Sequence, residues 1–519
     1  MPSKSIRRLG NDYDSVASIE SNLKAMDQIM ANEIDMLSLH DRNAIYEEIH
    51  GVSNMATKET PEIIENALQK FEAELENNYS TDAASNSNSA NAGEASPRLA
   101  YDIIMNQQPA NKNLASKTLL RDDNFRLRFL RFVFFDVKAA VARMLLFLNA
   151  IHTLYGLEAL KKFDTSMNFF IPDGDAQAAL RAGYIQLLPF RDRSGRRIIV
   201  FLMDALRLRS EVRIKIFLYM SFVAGGDAET QRNGCLFMFW PGVDTKLVLP
   251  EAGHRGLVSK FFNSIPTRFV CFHFCFPKSP LFSLARAMLS IVVVQNNYRR
   301  IPRMKFHSGE RMEMQYELMG YGIPVTLIPT TETGTLKAKT FKQWIKAKQL
   351  LDAAEKEDQR RRADGQSGSS SKRLECPGLN DVIFRSAGKS CMLNPGNVVF
   401  RGIFEKYHDE HVSAGQTEKR NLVWKIVEEI EARDGKFLTW EKRGWWIVLE
   451  NRTEIRSKVA TSLRDYNKQQ RAIANEQSTK SSTFAFERQD GKRRKRGNSA
   501  DYSSDDNQCG NLIREGCFS

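Results

Sequence analysis

Apolar residues between positions 266 and 294 follow first a strand period and then a helix period. Arg268 to Phe276 alternates as a strand does. The alternation predicts one face with Val270, Phe272, Phe274 and Phe276, and the other with Phe269, Cys271, His273 and Cys275. From Leu281 apolar residues recur at helical spacing to about Val294, and Pro277 and Pro280 separate the two segments. A buried strand followed by an apolar helix indicates a cavity for an apolar molecule.

The rest of the region 116–336 alternates between predicted helices and strands. Asp122 or Asp123 is placed to cap one helix and Asp136 the next. A turn-rich pentamer, Arg191 to Gly195, separates two apolar runs and predicts a hairpin. Further elements are predicted as helices at 211–222, 254–264 and 309–319, and strands at 234–240 and 304–306. This alternation favours an α/β fold with a partly parallel sheet.

Composition divides the remaining chain. Residues 1–78 read as an acidic helical arm with helices at 15–51 and 60–75, and 79–115 read as a disordered linker. After the lobe at 116–336 come a charged helix and linker at 337–375, a small α+β domain at 376–466 and a disordered basic tail at 467–519. We therefore expect two folded units joined by linkers.

The small domain is predicted to contain two helices and a hairpin. A strand at 381–384 precedes a helix that starts in the turn Asn394-Pro395-Gly396-Asn397, and a second helix covers 417–432. Two strands pair across 442–444, with Trp440, Trp445 and Trp446 as packing residues, and a helix at 453–466 follows. Helix, helix, hairpin is also the order of a winged-helix module, whose phosphate contacts would be Arg420, Lys425 and Arg443. The alternative function is thus a nuclear DNA-binding regulator that acts through this winged-helix-like domain, and DNA or protein are the partners expected for 376–466.

Charge and cysteine content restrict the environment and partners. The 519 residues carry a formal net charge of +13, which favours anionic partners such as nucleic acid or acidic membrane surfaces. Seven irregularly spaced cysteines fit a reducing compartment. The first fifteen residues lack the apolar core of a signal peptide, and no uninterrupted apolar run is long enough to span a bilayer. We expect a soluble monomer of the cytoplasm, the nucleus or both.

The basic run in the tail has the composition of a nuclear import signal, and consists of Lys492, Arg493, Arg494, Lys495 and Arg496.

Motifs for catalysis or cofactors are weak. Cys271, His273 and Cys275 share a predicted strand face, but zinc ligands usually come from turns with a second pair elsewhere, so we interpret them as a buried face with an internally bonded histidine. Gly388-Lys389-Ser390 lacks the glycine that a phosphate loop needs at position 383, which is Ile. The chain has no G-x-S-x-G and no H-E-x-x-H sequence. We expect a non-enzymatic protein without a cofactor or metal.

A basic cluster follows the predicted apolar helix. It contains Arg299, Arg300, Arg303 and Lys305. Guanidinium groups bind phosphate well, so the cluster is a candidate site for a phosphorylated headgroup beside an apolar cavity.

Residues from about 122 to 336 resemble the CRAL-TRIO lipid-binding family. The resemblance rests on LRFLRFVFFDVKAAVARMLLFL as an N-terminal helical lead-in, GYIQLLPFRDRSGRRIIVF as entry strands, and IPTRFVCFHFC with PLFSLARAML as floor strand and gate helix. The chain differs from the family at two places: residues 225–233 are polar and irregular, and the end segment YELMGYGIPVTLIP lacks the acidic residues usual in the family.

The resemblance implies binding, and possible transfer or sensing, of one lipid such as a phosphoinositide, tocopherol or retinoid. It also implies transient contact with a membrane surface. The cavity walls would be Phe237, Phe239, Phe272 and Phe274. The gate helix would present Leu281, Phe282, Leu284, Ala285, Met288 and Leu289.

The C-terminal domain is similar to a domain of unknown function abundant in diatom-type algae. The similarity rests on NDVIFRSAGKSCMLNPGNVVFRGIFEKY and on the later RGWWIV. Members usually have a G-R-G turn where this chain has Arg385-Ser386-Ala387-Gly388.

Overall fold

A computed structural model describes residue 28 and residues 31–85, 97–106, 119–242, 261–278, 298–363, 373–384, 394–441 and 445–494. We number the helices α1 Leu39–His50, α2 Pro61–Ser85, α3 Leu99–Met105, α4 Asp123–Phe132, α5 Val137–Tyr155, α6 Leu157–Lys161, α7 Met167–Phe170, α8 Gly174–Ala182, α9 Ser210–Ala224, α10 Ala228–Asn233, α11 Arg311–Gly320, α12 Lys339–Ala363, α13 Pro395–Lys406, α14 His408–Ser413, α15 Gln416–Glu431 and α16 Arg452–Arg494. The strands are β1 Ile185–Leu187, β2 Arg197–Leu202, β3 Cys235–Trp240, β4 Phe269–Phe276, β5 Met304–Ser308, β6 Arg373–Leu374, β7 Val382–Ile383, β8 Phe437–Trp440 and β9 Trp446–Val448. Short 3₁₀ turns occupy Met203–Arg207, Tyr298–Arg303 and Val325–Leu327.

The first unit is an α/β lobe built on a mixed five-stranded sheet in the order β1-β2-β3-β4-β5. β1 and β2 form the predicted antiparallel hairpin, and the pairs β2–β3, β3–β4 and β4–β5 are parallel. The predicted caps are also confirmed: the carboxylate of Asp122 accepts from the Phe125 N–H at 2.8 Å, and that of Asp136 from the Ala139 N–H at 3.0 Å.

Two residues in β4, Phe269 and Val270, were assigned to the wrong faces. Cys235 on β3 is opposite Phe269, but the next residue, Leu236, is opposite Cys271, so Val270 is an extra residue in the ladder. Because of this bulge, Phe269 packs with Phe272 on one face, and Val270 packs on the other. The prediction had these two residues exchanged, because strict alternation does not anticipate an inserted residue.

The arm packs onto the lobe. The predicted helix 15–51 is interrupted, because residues 31–35 are helical, a turn follows at 36–37, and helix α1 starts anew at Leu39. Ser38 caps α1 by accepting from the Asp41 N–H at 3.0 Å. Ile49 of α1 and Met314 and Leu318 of α11 cover one face of the sheet. Helix α2 adds its own buried residues to the core over the other face.

Helix α5 is the central helix of the lobe. By length and composition it could cross a bilayer, and half of its apolar window is buried inside the protein. Phe147 of α5 packs against three rings, with centroids 5.8–6.0 Å apart. They are Phe129 of α4, Phe222 of α9, and Phe163, which follows α6. These contacts show that α5 forms a protein core here.

Three stretches predicted to be irregular contain helices. Helix α3 lies inside the predicted linker 79–115, and its Tyr101 and Ile104 are buried. Helix α10 lies inside the polar stretch 225–233 and is capped by Asp227. Helix α16 continues to Arg494, beyond the predicted end at 466, through a stretch with no proline and no glycine before position 491. In each case the average polarity of the stretch concealed a local helical pattern.

The second unit is α+β, as predicted. Its four-stranded sheet has the order β6-β9-β8-β7, with β8 and β9 antiparallel and β7 and β8 parallel. Helices α13, α15 and α16 pack on this sheet around Phe400, Ile426, Val427, Phe437 and Val459.

Buried arginines attach the second unit to the first. Arg197 at the start of β2 forms a bidentate ion pair with Glu375, at 2.7 and 3.0 Å. Arg191 donates to the Pro377 carbonyl at 2.7 Å and to the Thr230 hydroxyl at 2.8 Å. Glu229 of α10 accepts from the Leu379 N–H at 2.9 Å. The polar stretch 225–233 therefore helps to hold the segment that leads into the C-terminal unit.

Candidate ligand-binding face

One face of the five-stranded sheet carries a row of phenylalanines, which we call the Phe face. It consists of Phe201 on β2, Phe237 and Phe239 on β3, and Phe272, Phe274 and Phe276 on β4. Neighbouring rings contact one another: Phe201 and Phe239 lie 5.7 Å apart between centroids, and Phe239 and Phe276 lie 5.6 Å apart. Phe217 of α9 meets Phe237 edge to face at 5.7 Å. The four predicted wall residues are thus part of one aromatic surface.

The two faces of the sheet differ in how completely they are buried. The six side chains of the Phe face keep between 4% and 9% of their surface exposed. On the opposite face, exposure is 0% at Ile198, Val200, Leu202, Leu236, Met238, Trp240, Val270, Cys271 and Cys275. Ring size does not explain the difference, because Phe129, Phe147 and Phe170 in the helical core are at 0%. The six phenylalanines are therefore slightly less enclosed than the side chains behind them.

Phe201, Phe217 and Phe276 were not assigned to the cavity wall from the sequence. Phe201 could have been found, because it follows Ile199 by two positions on β2 and so shares its face. Phe217 lies on a helix whose residues are almost all buried, so that periodicity does not single out one side.

The predicted gate lies outside the described residues. This applies to Leu281, Phe282, Leu284, Ala285, Met288 and Leu289. Most of the predicted helix 254–264 also lies outside them, except for its last turn from residue 261.

The predicted headgroup residues with described side chains lie away from the Phe face. Arg303 forms an ion pair with the buried Glu48 at 2.7 Å and donates to the Val270 carbonyl at 3.0 Å. On β5, Met304 and Phe306 belong to the Phe-face cluster, so Lys305 projects to the opposite side. The side chains of Arg299 and Arg300 are outside the described part of the chain. The structure therefore separates Arg303 and Lys305 from the aromatic surface.

Glu48 is the partner that the sequence did not reveal for Arg303. It is almost completely buried, and Arg268 donates to it at 2.5 Å. Burial alone would raise the pKa of Glu48, but Arg268 and Arg303 outweigh burial and lower it. The ion pairs of Glu48 with Arg268 and Arg303 hold α1 against the start of β4.

A histidine pair lies on the face of the sheet opposite the Phe face. His273 Nδ1 is 3.0 Å from His307 Nε2, and His307 Nδ1 is 2.6 Å from Glu317 Oε2. His273 is fully buried and internally bonded, as predicted, although no described residue forms a hydrogen bond with its Nε2. Burial lowers the pKa of His273 well below its usual value, and the neighbouring His307 lowers it further. Within the described ranges, no three His, Cys, Asp or Glu side chains are grouped as metal ligands.

In the C-terminal unit, Asn394 and Asn397 join the start of α13 to β7. Asn397 accepts from the Ile383 N–H and donates to the Ile383 carbonyl, both at 2.9 Å, as a neighbouring strand would. Asn394 donates to the Asp381 carbonyl at 2.5 Å. Gly396 is required between them, because a Cβ there would lie 2.1 Å from that same carbonyl oxygen.

The residues proposed to contact DNA phosphates are only partly described. Lys425 pairs with Glu410 at 3.5 Å, and Arg420 is exposed on α15. Arg443 lies outside the described residues.

The predicted nuclear import signal also lies outside the described part of the chain. This applies to the side chains of Lys492, Arg493 and Arg494 and to the whole of Lys495 and Arg496.

Comparison with known families identifies only the C-terminal unit. Residues 381–465 match the family described as a domain of unknown function, DUF6824. The match covers β7, α13, α15 and the hairpin β8–β9, and so includes the Asn394–Asn397 turn. No CRAL-TRIO family matches the lobe. No curated protein matches the chain.

Proposed function

We propose that the lobe binds an apolar ligand, a lipid, against the Phe face, without a chemical step. The observation that carries the proposal is the contrast between the two faces of the sheet: six phenylalanines keep 4–9% exposure while nine side chains behind them keep none. An apolar wall on a central sheet that is not completely enclosed is suited to a ligand.

The chemistry of the wall defines the ligand class. Its described strand residues are aromatic or aliphatic, so a bound molecule would exchange water for hydrocarbon along its length. Each methylene transferred from water is worth about 0.8 kcal/mol, so an acyl or prenyl chain contributes favourably to binding along its whole length. Because Arg303 and Lys305 lie elsewhere, the proposal does not depend on a phosphorylated headgroup held by them.

Native mass spectrometry of the full chain purified from its own cells tests the proposal. We expect a co-purifying lipid, and we expect the larger side chains of the double variant Phe237→Trp/Phe274→Trp to exclude it. Tyr316→Trp adds the same kind of bulk on the exposed side of α11 and should leave the lipid in place. A wild-type chain that carries no lipid and takes none up from vesicles would overturn the proposal.

A further inference from the structure

The outer side of α12 presents a row of exposed lysines, which we call the lysine face. Lys339, Lys342 and Lys346 recur at spacings of three and four, so they lie on one side of the helix, and all three are exposed. Lys337 precedes them and is fixed in place by its N–H, which donates to the Pro329 carbonyl at 2.8 Å. The inner side of α12 buries Phe341 and Ile345 in the same cluster as the Phe face.

Carboxylates do not neutralise this surface. Among the residues that the structure describes, Lys337, Lys339, Lys342 and Lys346 form no ion pair, whereas Lys348 on the same helix pairs with Asp352 at 2.5 Å. Gly183 follows the last residue of α8, and a Cβ added to it would contact Phe341 and Ala338. The end of α8 therefore lies beside the start of α12, and the exposed Arg181 of α8 lies near the lysine face. Five cations therefore share one surface without a described counter-charge.

The lysines do not stabilise their own helix. The first turn of α12 contains no acidic residue, and cations near the start of a helix oppose its dipole. Repulsion between lysines three and four positions apart adds to this cost. A surface that weakens the fold and attracts anions is suited to an external anionic partner.

We infer that the lysine face docks the protein onto an anionic lipid bilayer. Leu350, four residues after Lys346, is 47% exposed on the same side of the helix. An apolar side chain among lysines gains free energy at the bilayer interface and gains nothing from a phosphate backbone, which favours a membrane over nucleic acid. The inference rests on the proposed function in one respect, since the membrane would be the source of the ligand.

Co-sedimentation of the full chain with phosphatidylcholine vesicles, with and without phosphatidylserine, tests the docking. We expect binding that requires phosphatidylserine and falls by roughly 30-fold in the double variant Lys342→Gln/Lys346→Gln, from about 1 kcal/mol for each lysine near the surface. Arg360→Gln/Arg361→Gln removes the same net charge from the exposed far end of α12 and should have a much smaller effect.

Three results would overturn the inference: unchanged vesicle binding in the lysine variant, an equal loss in both variants, or a loss confined to binding of duplex DNA. Unchanged thermal unfolding in both variants shows that the fold is retained. Vesicle binding does not need a ligand in the lobe, so a chain without co-purifying lipid that still docks through these lysines would contradict only the proposed function. If the chain carries a co-purifying lipid but its vesicle binding is unchanged in the lysine variant, only this inference is contradicted.

Discussion

Arg197 and Glu375, which are 178 residues apart in the sequence, form a bidentate ion pair. This pair joins the sheet of the lobe to the C-terminal unit. Arg197 is 1% exposed, and Trp344 of α12 donates to the same carboxylate at 2.5 Å. Burial alone would raise the pKa of Glu375, but Arg197 outweighs burial and lowers it. Three parts of the chain therefore depend on one carboxylate.

Glu375→Gln should destabilise the protein by about 3–5 kcal/mol, because it leaves the buried Arg197 without its counter-charge. Equilibrium denaturation with urea measures the change. Asp175→Asn removes the partner of the exposed Arg209 and should have little effect. Equal effects of the two substitutions would show that the buried pair is not important for stability.

Gly396→Ala should unfold or strongly destabilise the C-terminal unit, by at least about 2 kcal/mol, because the new methyl group meets the Asp381 carbonyl. Gly402 on the same helix has open space around its Cβ position, so Gly402→Ala should stabilise the helix by about 0.5–1 kcal/mol. Thermal unfolding should therefore show a lower melting temperature for Gly396→Ala and a higher one for Gly402→Ala than for the wild-type chain. A tolerated Gly396→Ala would contradict the close contact.

Asn397→Asp should cost about 1–3 kcal/mol, because a carboxylate cannot donate to the Ile383 carbonyl and leaves that oxygen unpaired. Denaturant unfolding measures the loss. Asn421→Asp, at an exposed position of α15, is the matched control and should be close to neutral. Similar effects at the two positions would count against the strand-like role of Asn397.

Acid should destabilise the lobe. The pKa values of His273 and His307 are lowered, mainly by burial, so below about pH 6.5 the unfolded chain binds protons that the folded chain does not. Stability is then complete above the unfolded pKa and falls with decreasing pH, by up to about 1.4 kcal/mol per pH unit for each histidine. Lys305 and Arg196 strengthen the effect, and Glu317 opposes it at His307.

Urea denaturation between pH 7 and pH 5 measures this slope. His273→Met removes one titrating group and should make the decline shallower, whereas His40→Gln, at a position 92% exposed, should not. A decline of equal slope in all three proteins would exclude the histidine pair as its cause.

Phe274→Trp should be better tolerated than Phe147→Trp. Phe147 is at 0% exposure in a packed aromatic cluster, where added volume costs about 1–3 kcal/mol, whereas Phe274 keeps 4% exposure on the less enclosed Phe face. Thermal unfolding of ligand-free protein compares the two. An equal or larger loss at Phe274 would mean that the space beside the Phe face is too small for added atoms, and hence for a ligand.

Local chemistry allowed much of the fold to be predicted. Asp122 and Asp136 were recognised as caps, and the hairpin around Arg191 to Gly195 and the alternating helices and strands were recognised from turn residues and period. The predicted wall residues Phe237, Phe239, Phe272 and Phe274 do share one surface.

Features that depend on distant partners could not be predicted. Glu48 is separated from Arg268 by 220 residues, and no local pattern announces that its carboxylate is buried there. The same holds for α10, whose polar residues are satisfied by Arg191 and Leu379 from other parts of the chain. Lys305 was placed beside the cavity because it is close in sequence, although one position along a strand reverses the side on which it lies.

Val270 is an additional residue in β4, and it lies on the same face as its neighbour Cys271. Phe269 therefore joins the aromatic rings although Cys271, two positions later, lies on the other face. If Val270 were deleted, Phe269 would directly precede Cys271, and regular alternation would keep the two on opposite faces. We therefore expect the deletion to remove the bulge and one buried side chain of the opposite core while leaving the aromatic wall in place.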